Sequence, residues 1–446
     1  MKHPILPMVL LLAGCASYQP APLASDVELV CRVDALSVDT ATMPTPALRA
    51  HRFDPSDGLD ITELAMLAVA NSPDLRSARA DLGVTRAQAF AAGLLPDPQL
   101  ALSREQVVNH VPGATTAFGL GLTIDVGAIL ARSSTRAAAD GETRQARLSL
   151  LWQEWQVVAQ ARLLFVKLRA LEATRDLLQR RDAVLGPQVA RARDAVARGL
   201  ATSDAIAPLV AAQADVARQL ADTLRQDNQA RHDLDALVGV APEVVLPLVG
   251  DADVAPPSAA QAASALALAP RRRPDLLALQ AGFDAQDARY RGALAAQFPT
   301  LTVGPTRARD TSHVDTQGIA IGLSLPLFNR NRGNIAIEQA TREKLRLDYQ
   351  QRLDTAASET HRLLQEQALV ARQRADAEAA TADLRRIADH AETAFAAHAI
   401  DALALTTAEQ AWLARALEAI AAAQALQEQA IALQALLGGD FDTDPA

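Results

Sequence analysis

Aromatic side chains are scarce in this sequence: three Trp, three Tyr and nine Phe, 3% of 446 residues. Yet half the residues are hydrophobic, and alanine supplies much of that half. Alanine is the strongest helix former and buries little area per residue. Such a composition suits long, thin helices packed side by side and argues against compact globules built on Phe, Ile and Trp. Cysteine is scarce too: Cys15 and Cys31 cannot make a disulfide framework. Basic charge is in deficit, with a net charge of −9 and a pI near 5.4, whereas a nucleic-acid partner needs a basic face. Missing as well is any apolar run of the about 20 residues that a membrane-spanning helix requires. Any crossing of a bilayer must then be made by strands.

The beginning of the chain carries the first positive signal. Met1-Lys2-His3 is short and basic, a brief apolar run follows, and Leu12-Ala13-Gly14-Cys15 closes it. The run suits a secretory signal peptide over residues 1–14. The last four residues resemble a bacterial lipobox, which implies cleavage before Cys15 and a covalent lipid (palmitate among its acyl chains) on that thiol. Ala16 in the next position fits sorting to the outer membrane by the same rule. Residues 15–58, with Pro20, Pro22, Pro44 and Pro46, read as an extended tether. Cys31 lies within it as a free thiol of no assigned role.

The remainder is written twice. Pro73-Asp74-Leu75 returns as Pro274-Asp275-Leu276, and Gly121-Leu122-Thr123-Ile124 as Gly322-Leu323-Ser324-Leu325, both 201 residues on. Leu237-Val238-Gly239 returns as Leu436-Leu437-Gly438 after 199. A first repeat over residues 59–240 and a second over 274–438 are predicted, joined by a Pro- and Ala-rich linker at 241–273 and followed by a tail at 439–446. Each repeat opens with a helix that begins at a proline, near 73–93 and 275–297. Two short alternating segments follow in each, giving strands at about 99–108 and 116–125, then about 300–309 and 317–326. That length matches a tilted transmembrane strand.

After each strand pair comes a very long helix, at 131–198 and 334–397, with Gly186-Pro187 as the one interruption in the first. At about 1.5 Å per residue each spans on the order of 100 Å. Leu151, Trp155, Val158, Arg162 and Phe165 are spaced alternately by four and three, as are Leu413, Leu417 and Ile420, the seam of a coiled coil. Helices of that length belong in a tube or a rod. The fold class is mainly α with a small β part: a duplicated helix–β-hairpin–long helical hairpin unit. Four strands cannot close a barrel, and an open edge in lipid leaves backbone groups unpaired. If the strands span a membrane, several chains must share one barrel, and three copies supply twelve.

Asn71-Ser72-Pro73-Asp74-Leu75, Leu95-Pro96-Asp97-Pro98, Arg273-Pro274-Asp275-Leu276, Leu323-Ser324-Leu325-Pro326-Leu327-Phe328 and Leu436-Leu437-Gly438, in this order and spacing, resemble the TolC-like outer-membrane efflux protein family. The segment Pro326-Leu327-Phe328-Asn329-Arg330-Asn331-Arg332-Gly333 is similar to its heavy-metal (cobalt–zinc–cadmium) branch. The resemblance implies a lipid-anchored homotrimer with a 12-stranded outer-membrane β-barrel continued by a 12-helix periplasmic α-barrel. It implies no enzymatic activity, no cofactor beyond the lipid on Cys15, and two partners: a periplasmic adaptor and an inner-membrane resistance-nodulation-division (RND) pump. By the same resemblance the docking and gating tips are Gly199, Leu200, Ala201 and Thr202, with Asp204 nearby, and His398, Ala399, Ile400 and Asp401. His398 stands where the family often has glycine, and Ala404 and Thr407 occupy positions where some members place aspartates. Asp204 and Asp401 are also read as helix N-caps.

No pair of the eight histidines has metal-ligand spacing, and there is no phosphate loop or nucleophile elbow. Arg271-Arg272-Arg273 reads as a solvated turn of the linker or one at the level of lipid head groups. Within the family a multidrug or type I secretion duct stands beside a heavy-metal duct. A periplasmic adaptor lipoprotein is the alternative of another class, although it would carry one helical hairpin rather than two.

Overall fold

The computed structural model describes residues 18–27, 29–32, 36–109, 112–252 and 254–438. The expected signal peptide, Cys15 with its lipid, and the 439–446 tail lie outside the described residues, as do His3 and His110.

The segment expected to be an extended tether is in its second half part of the folded body. A 3-10 turn at Thr40–Thr42 and helix α1 (Pro46–Ala50) follow one another there. Leu36, Met43 and Leu48 are buried in the main hydrophobic core. The proline-rich composition hid this, because Pro46 serves as the first residue of a helix capped by Thr45 rather than as a spacer. Cys31 is exposed and free.

In the first repeat, α2 (Ile61–Asn71) is closed at its start by a capping box between Asp60 and Glu63. Ser72 then caps α3 (Pro73–Ala92), which has its proline at the first turn. Strands β1 (Gln99–Glu105) and β2 (Ala117–Asp125) come next. The side chain of Asp125 accepts a hydrogen bond from the Ala128 amide at 2.9 Å, so the last residue of β2 caps α4 (Val126–Ala197) without a loop. Helix α4 has 72 residues and passes through Pro187 unbroken. The break expected at Gly186-Pro187 is absent because Leu185 and Val189, on either side, are fully buried. Packing there outweighs the loss of one helical hydrogen bond. Helix α5 (Ser203–Val238) returns half the way and ends at Gly239 with φ +75°.

The second repeat copies this plan with α6 (Ala259–Arg272), α7 (Pro274–Ala295), β3 (Thr300–Arg309), β4 (Asp315–Ser324), α8 (Arg332–Ala396) and α9 (Ala402–Leu437). Helix α9 also ends on a left-handed glycine, Gly438. Most of the expected linker is structured. Its last third is α6, started by a Ser258–Gln261 capping box, and Val244 and Leu246 lie in the main core. The first strand stops at Glu105, three residues early, and β4 stops before Pro326, which has no amide to donate.

The four strands form one antiparallel sheet in the order β1-β2-β3-β4, so the two hairpins pair through β2 and β3. All helices extend from one end of this sheet. The main core surrounds the middle of α4, where α2, α5 and residues 36–48 converge on Trp155, Val158 and Phe165. A second cluster lies further along, joining Leu185 and Val189 of α4 to Leu209 and Ala212 of α5 and to Ala402 and Leu413 of α9.

Candidate functional site: a two-faced sheet, two helical tips and buried ion pairs

The register of the sheet separates its residues by character. Leu100 faces Leu122 and Leu102 faces Leu120 across β1 and β2. Ile124 faces Val303 across β2 and β3, and Val303, Leu301 and Pro305 face Ile321, Leu323 and Ile319 across β3 and β4. All lie on one side, because side chains alternate along a strand. The other side carries Ala101, Ser103, Gly119, Gly121, Thr123, Thr302, Gly304, Thr306, Gly318, Ala320 and Gly322, small and uncharged, with Gln99, Glu105 and Asp125 at the ends of β1 and β2. Along β2 the apolar residues are exposed and the small ones half-buried in strict alternation. On β2 the face of small residues is thus the more shielded of the two. The apolar face is open: Leu102 is 75% exposed and Ile319 73%. A face of this size left bare in water is an interaction surface.

The opposite end of the molecule is built by the two hairpin tips. Gly199 has φ +73° and its amide bonds to the Val196 carbonyl at 3.0 Å, while the Leu200 amide bonds to Ala195 at 2.8 Å. His398 takes the same place in the other tip, with φ +58°, and the amides of His398 and Ala399 bond to Phe395 and Ala394 at 3.0 and 2.8 Å. Each directly follows the helix C-cap, Arg198 or Ala397, and lies in the left-handed region, which glycine enters freely and histidine at a cost. Asp401 caps α9, accepting from the Ala404 amide at 2.8 Å. Asp204 lies in the first turn of α5, whose N-cap is Thr202. Leu200 is 76% exposed and Ala201 and Ile400 are half-buried, with Ala399 exposed. The cluster joining Leu185, Leu209 and Ala402 holds the two tips side by side.

Two buried charge clusters tie the hairpins together along the way, and motif reading had found neither. Arg181 of α4 grips both carboxylate oxygens of Glu409 of α9, one of them at 2.7 Å, with both side chains more than nine-tenths buried. Burial pulls the Arg181 guanidinium down to about 10, so it stays charged near neutrality. Arg385 of α8 stacks on Trp412 of α9 at 4.6 Å beside this pair. Nothing in the sequence marks it: the partners are 228 residues apart and each is one charge among many on a helix.

The second cluster corrects the reading of Arg271-Arg272-Arg273. Arg271 and Arg272 are exposed at the end of α6, but Arg273 is only 1% exposed, the largest fully buried side chain described. Its Nε and Nη2 donate to Asp275 at 3.0 and 2.6 Å, and its Nη1 donates to the Leu436 carbonyl at 2.9 Å. Arg352 of α8 donates to the same Asp275 carboxylate at 2.6 Å. Both guanidiniums lie over the Trp152 ring of α4, at 5.3 and 5.7 Å. Burial would raise the Asp275 carboxyl, but the two guanidiniums hold it below the usual carboxylate range. The Pro-Asp motif at the start of α7 thus fastens α4, α8 and the end of α9. The composition of a three-arginine run suggested solvent, and only the fold shows that one of the three turns inward.

Among the described residues no group of His, Cys, Asp and Glu could hold a metal ion. The arrangement offers no convergent reactive set. It offers a sheet with one open apolar face, helices of on the order of 100 Å, and two tips.

Residues 265–439 match the family model described as Outer membrane efflux protein. The cobalt-zinc-cadmium resistance protein CzcC of Cupriavidus metallidurans is 27% identical over 308 residues, 68% of this chain and 71% of that protein. The solved structure of CusC, in work on transmembrane channel formation, superposes with a TM-score of 0.72 at 18% identity, covering 89% of this chain and 97% of CusC. The CmeC outer membrane channel of Campylobacter jejuni gives 0.73 at 16% identity, covering 96% of each chain. At such identities the structural likeness speaks for the fold.

Proposed function

We propose that the chain, whose residues 265–439 match the outer membrane efflux protein family model, is the outer-membrane duct of a tripartite RND-type efflux system. The observation that carries this is the sheet: four strands, apolar on one face and mostly small on the other, with β1 and β4 unpaired at its edges. In lipid each unpaired backbone group costs several kcal/mol. Three copies, with β4 of one chain beside β1 of the next, remove every edge and give a 12-stranded barrel around a wall of Gly, Ala, Ser and Thr. The long helices α4 and α8 of each copy, with α3 and α5 together and α7 and α9 together making up two further lengths, then continue the bore below the membrane as a 12-helix periplasmic tunnel. Residues 1–14 are its signal peptide, and the lipid on Cys15 anchors the chain to the outer membrane.

The repeats at 59–240 and 274–438 each supply one hairpin tip. The tips around Gly199 and His398 dock the periplasmic adaptor, which couples the duct to the pump. The chain does no chemistry and conducts passively. Similarity to CzcC favours divalent heavy-metal cations as the cargo.

Native mass spectrometry of the detergent-extracted protein tests the assembly, and planar-bilayer conductance tests the duct. A trimer with channel activity is expected. A monomeric species without β-signal in circular dichroism overturns the reading. For the cargo, deletion in the host should raise cell-associated zinc, cobalt and cadmium; unchanged metal content with increased sensitivity to organic drugs would reassign the substrate.

A further inference from the structure

On the apolar face of the sheet, charge is confined to the two cross-strand rows farthest from the helices. The outermost row is Arg104, Phe118, Arg309 and Asp315, aligned across β1, β2, β3 and β4. The next is Leu102, Leu120, Arg307 and Gln317. Below these the face is wholly apolar. Arg309 is satisfied by Asp315, its Nε and Nη2 at 3.0 and 2.7 Å from the two carboxylate oxygens. Arg104 and Arg307 are exposed and make no direct ion pair among the described residues, although Asp315 attracts Arg307 as well as Arg309. Arg104 lies over the Phe118 ring at 6.0 Å. A shallow groove runs between Arg104, Phe118, Leu120 and Arg307, and the Arg309–Asp315 pair is also part of its wall.

We propose that this groove binds the phosphate of a phosphorylated lipid head group in the outer leaflet. The proposal rests on the duct reading, since that reading puts the apolar face in lipid and the loop end of the sheet outside the cell. Three features of the face favour a lipid occupant. The arginines are continuous with the apolar band, so acyl chains and phosphate can be met by one molecule lying along the strands. Guanidinium groups on planar forks suit phosphate oxygens, pairing with them in two-pronged geometry. Phe118 within the charged row and the aliphatic rows below it suit the boundary between head group and acyl chain, where amphipathic side chains settle.

The test uses the full-length trimer in detergent, titrated with bis-phosphorylated lipid A and, in parallel, with the same lipid dephosphorylated, and read by native mass spectrometry. Wild type should retain the phosphorylated lipid preferentially. Each arginine near an anionic surface contributes roughly a fivefold gain in binding, so the R104Q/R307Q variant should bind on the order of thirtyfold more weakly. The R104K/R307K variant should keep part of the affinity, because charge remains while the fork is lost. Trimer mass and channel conductance, recorded on the same samples, should not change between variants. Equal retention of the two lipids by wild type, or equal retention by wild type and R104Q/R307Q, overturns the site while leaving the duct intact. A wild-type protein that forms no trimer overturns the duct and the site together.

Discussion

Arg181 and Glu409 illustrate how a charge acts when the fold takes it out of water. A buried ion pair gains little over apolar packing, because desolvation offsets the attraction, yet removing one partner strands the other. Glu409→Gln should therefore destabilise the protein by about 3 to 5 kcal/mol, while the R181M/E409L double variant should be close to neutral. Thermal unfolding of the three proteins decides this; equal losses in single and double variants would mean the pair is not coupled. Asp275 gives a pH signature. Its carboxyl is held low by Arg273 and Arg352, so its stabilising share is present above the unfolded carboxylate value of about 3.9 and lost as pH falls from there through the folded value. Melting temperature should drop on acidification from about pH 5 to about pH 3, and less steeply in Asp275→Asn. Neither residue was legible as special. Pro274-Asp275-Leu276 stood out as a repeated motif, but its neighbour Arg273 looked like the end of a solvated basic run.

At the scale of elements, the two halves are alike in plan and differ in local chemistry. The left-handed residue at the first tip is Gly199, and its counterpart is His398 at φ +58°. A side chain in that region costs about 1 to 2 kcal/mol relative to glycine. His398→Gly should slow amide exchange in the last turn of α8 by an amount worth about 1 kcal/mol, and Gly199→Ala should speed it in the last turn of α4 by a similar amount. An unchanged exchange rate in both would show that the tips are set by packing alone. Helix ends were readable because caps and breakers are local chemistry: Ser72-Pro73 starts α3, and Gly239 and Gly438 end α5 and α9. The passage of α4 through Pro187 was not readable, since it depends on what Leu185 and Val189 touch.

For the whole molecule, the two free sheet edges set the expectation of shared assembly. In a Cys31→Ser background, Ala101→Cys on β1 paired with Gly318→Cys, Ala320→Cys or Gly322→Cys on β4 should yield covalent dimers and trimers on mild oxidation in membranes. A panel spanning three positions covers the unknown register between copies. Monomer alone in every combination would mean the edges do not meet. The helices impose a second constraint at this scale: α4 and α8 have 72 and 65 residues, too long for any compact core, and they pack lengthwise against α5 and α9.

Periodicity and punctuation determined much by themselves: the duplication, the four short strands with one apolar face, the long helices and their turning points. Each follows from forces acting between residues close along the chain, namely the alternation of side chains on a strand, the preference of glycine for positive φ, and the stop that proline puts on a helix start. The tertiary structure alone decided which charges are buried, that residues 36–58 and 241–273 pack rather than tether, and that β2 pairs with β3 to make one sheet of two hairpins. Those outcomes depend on partners up to 228 residues away, and burial energy is a property of the completed packing that no local pattern contains.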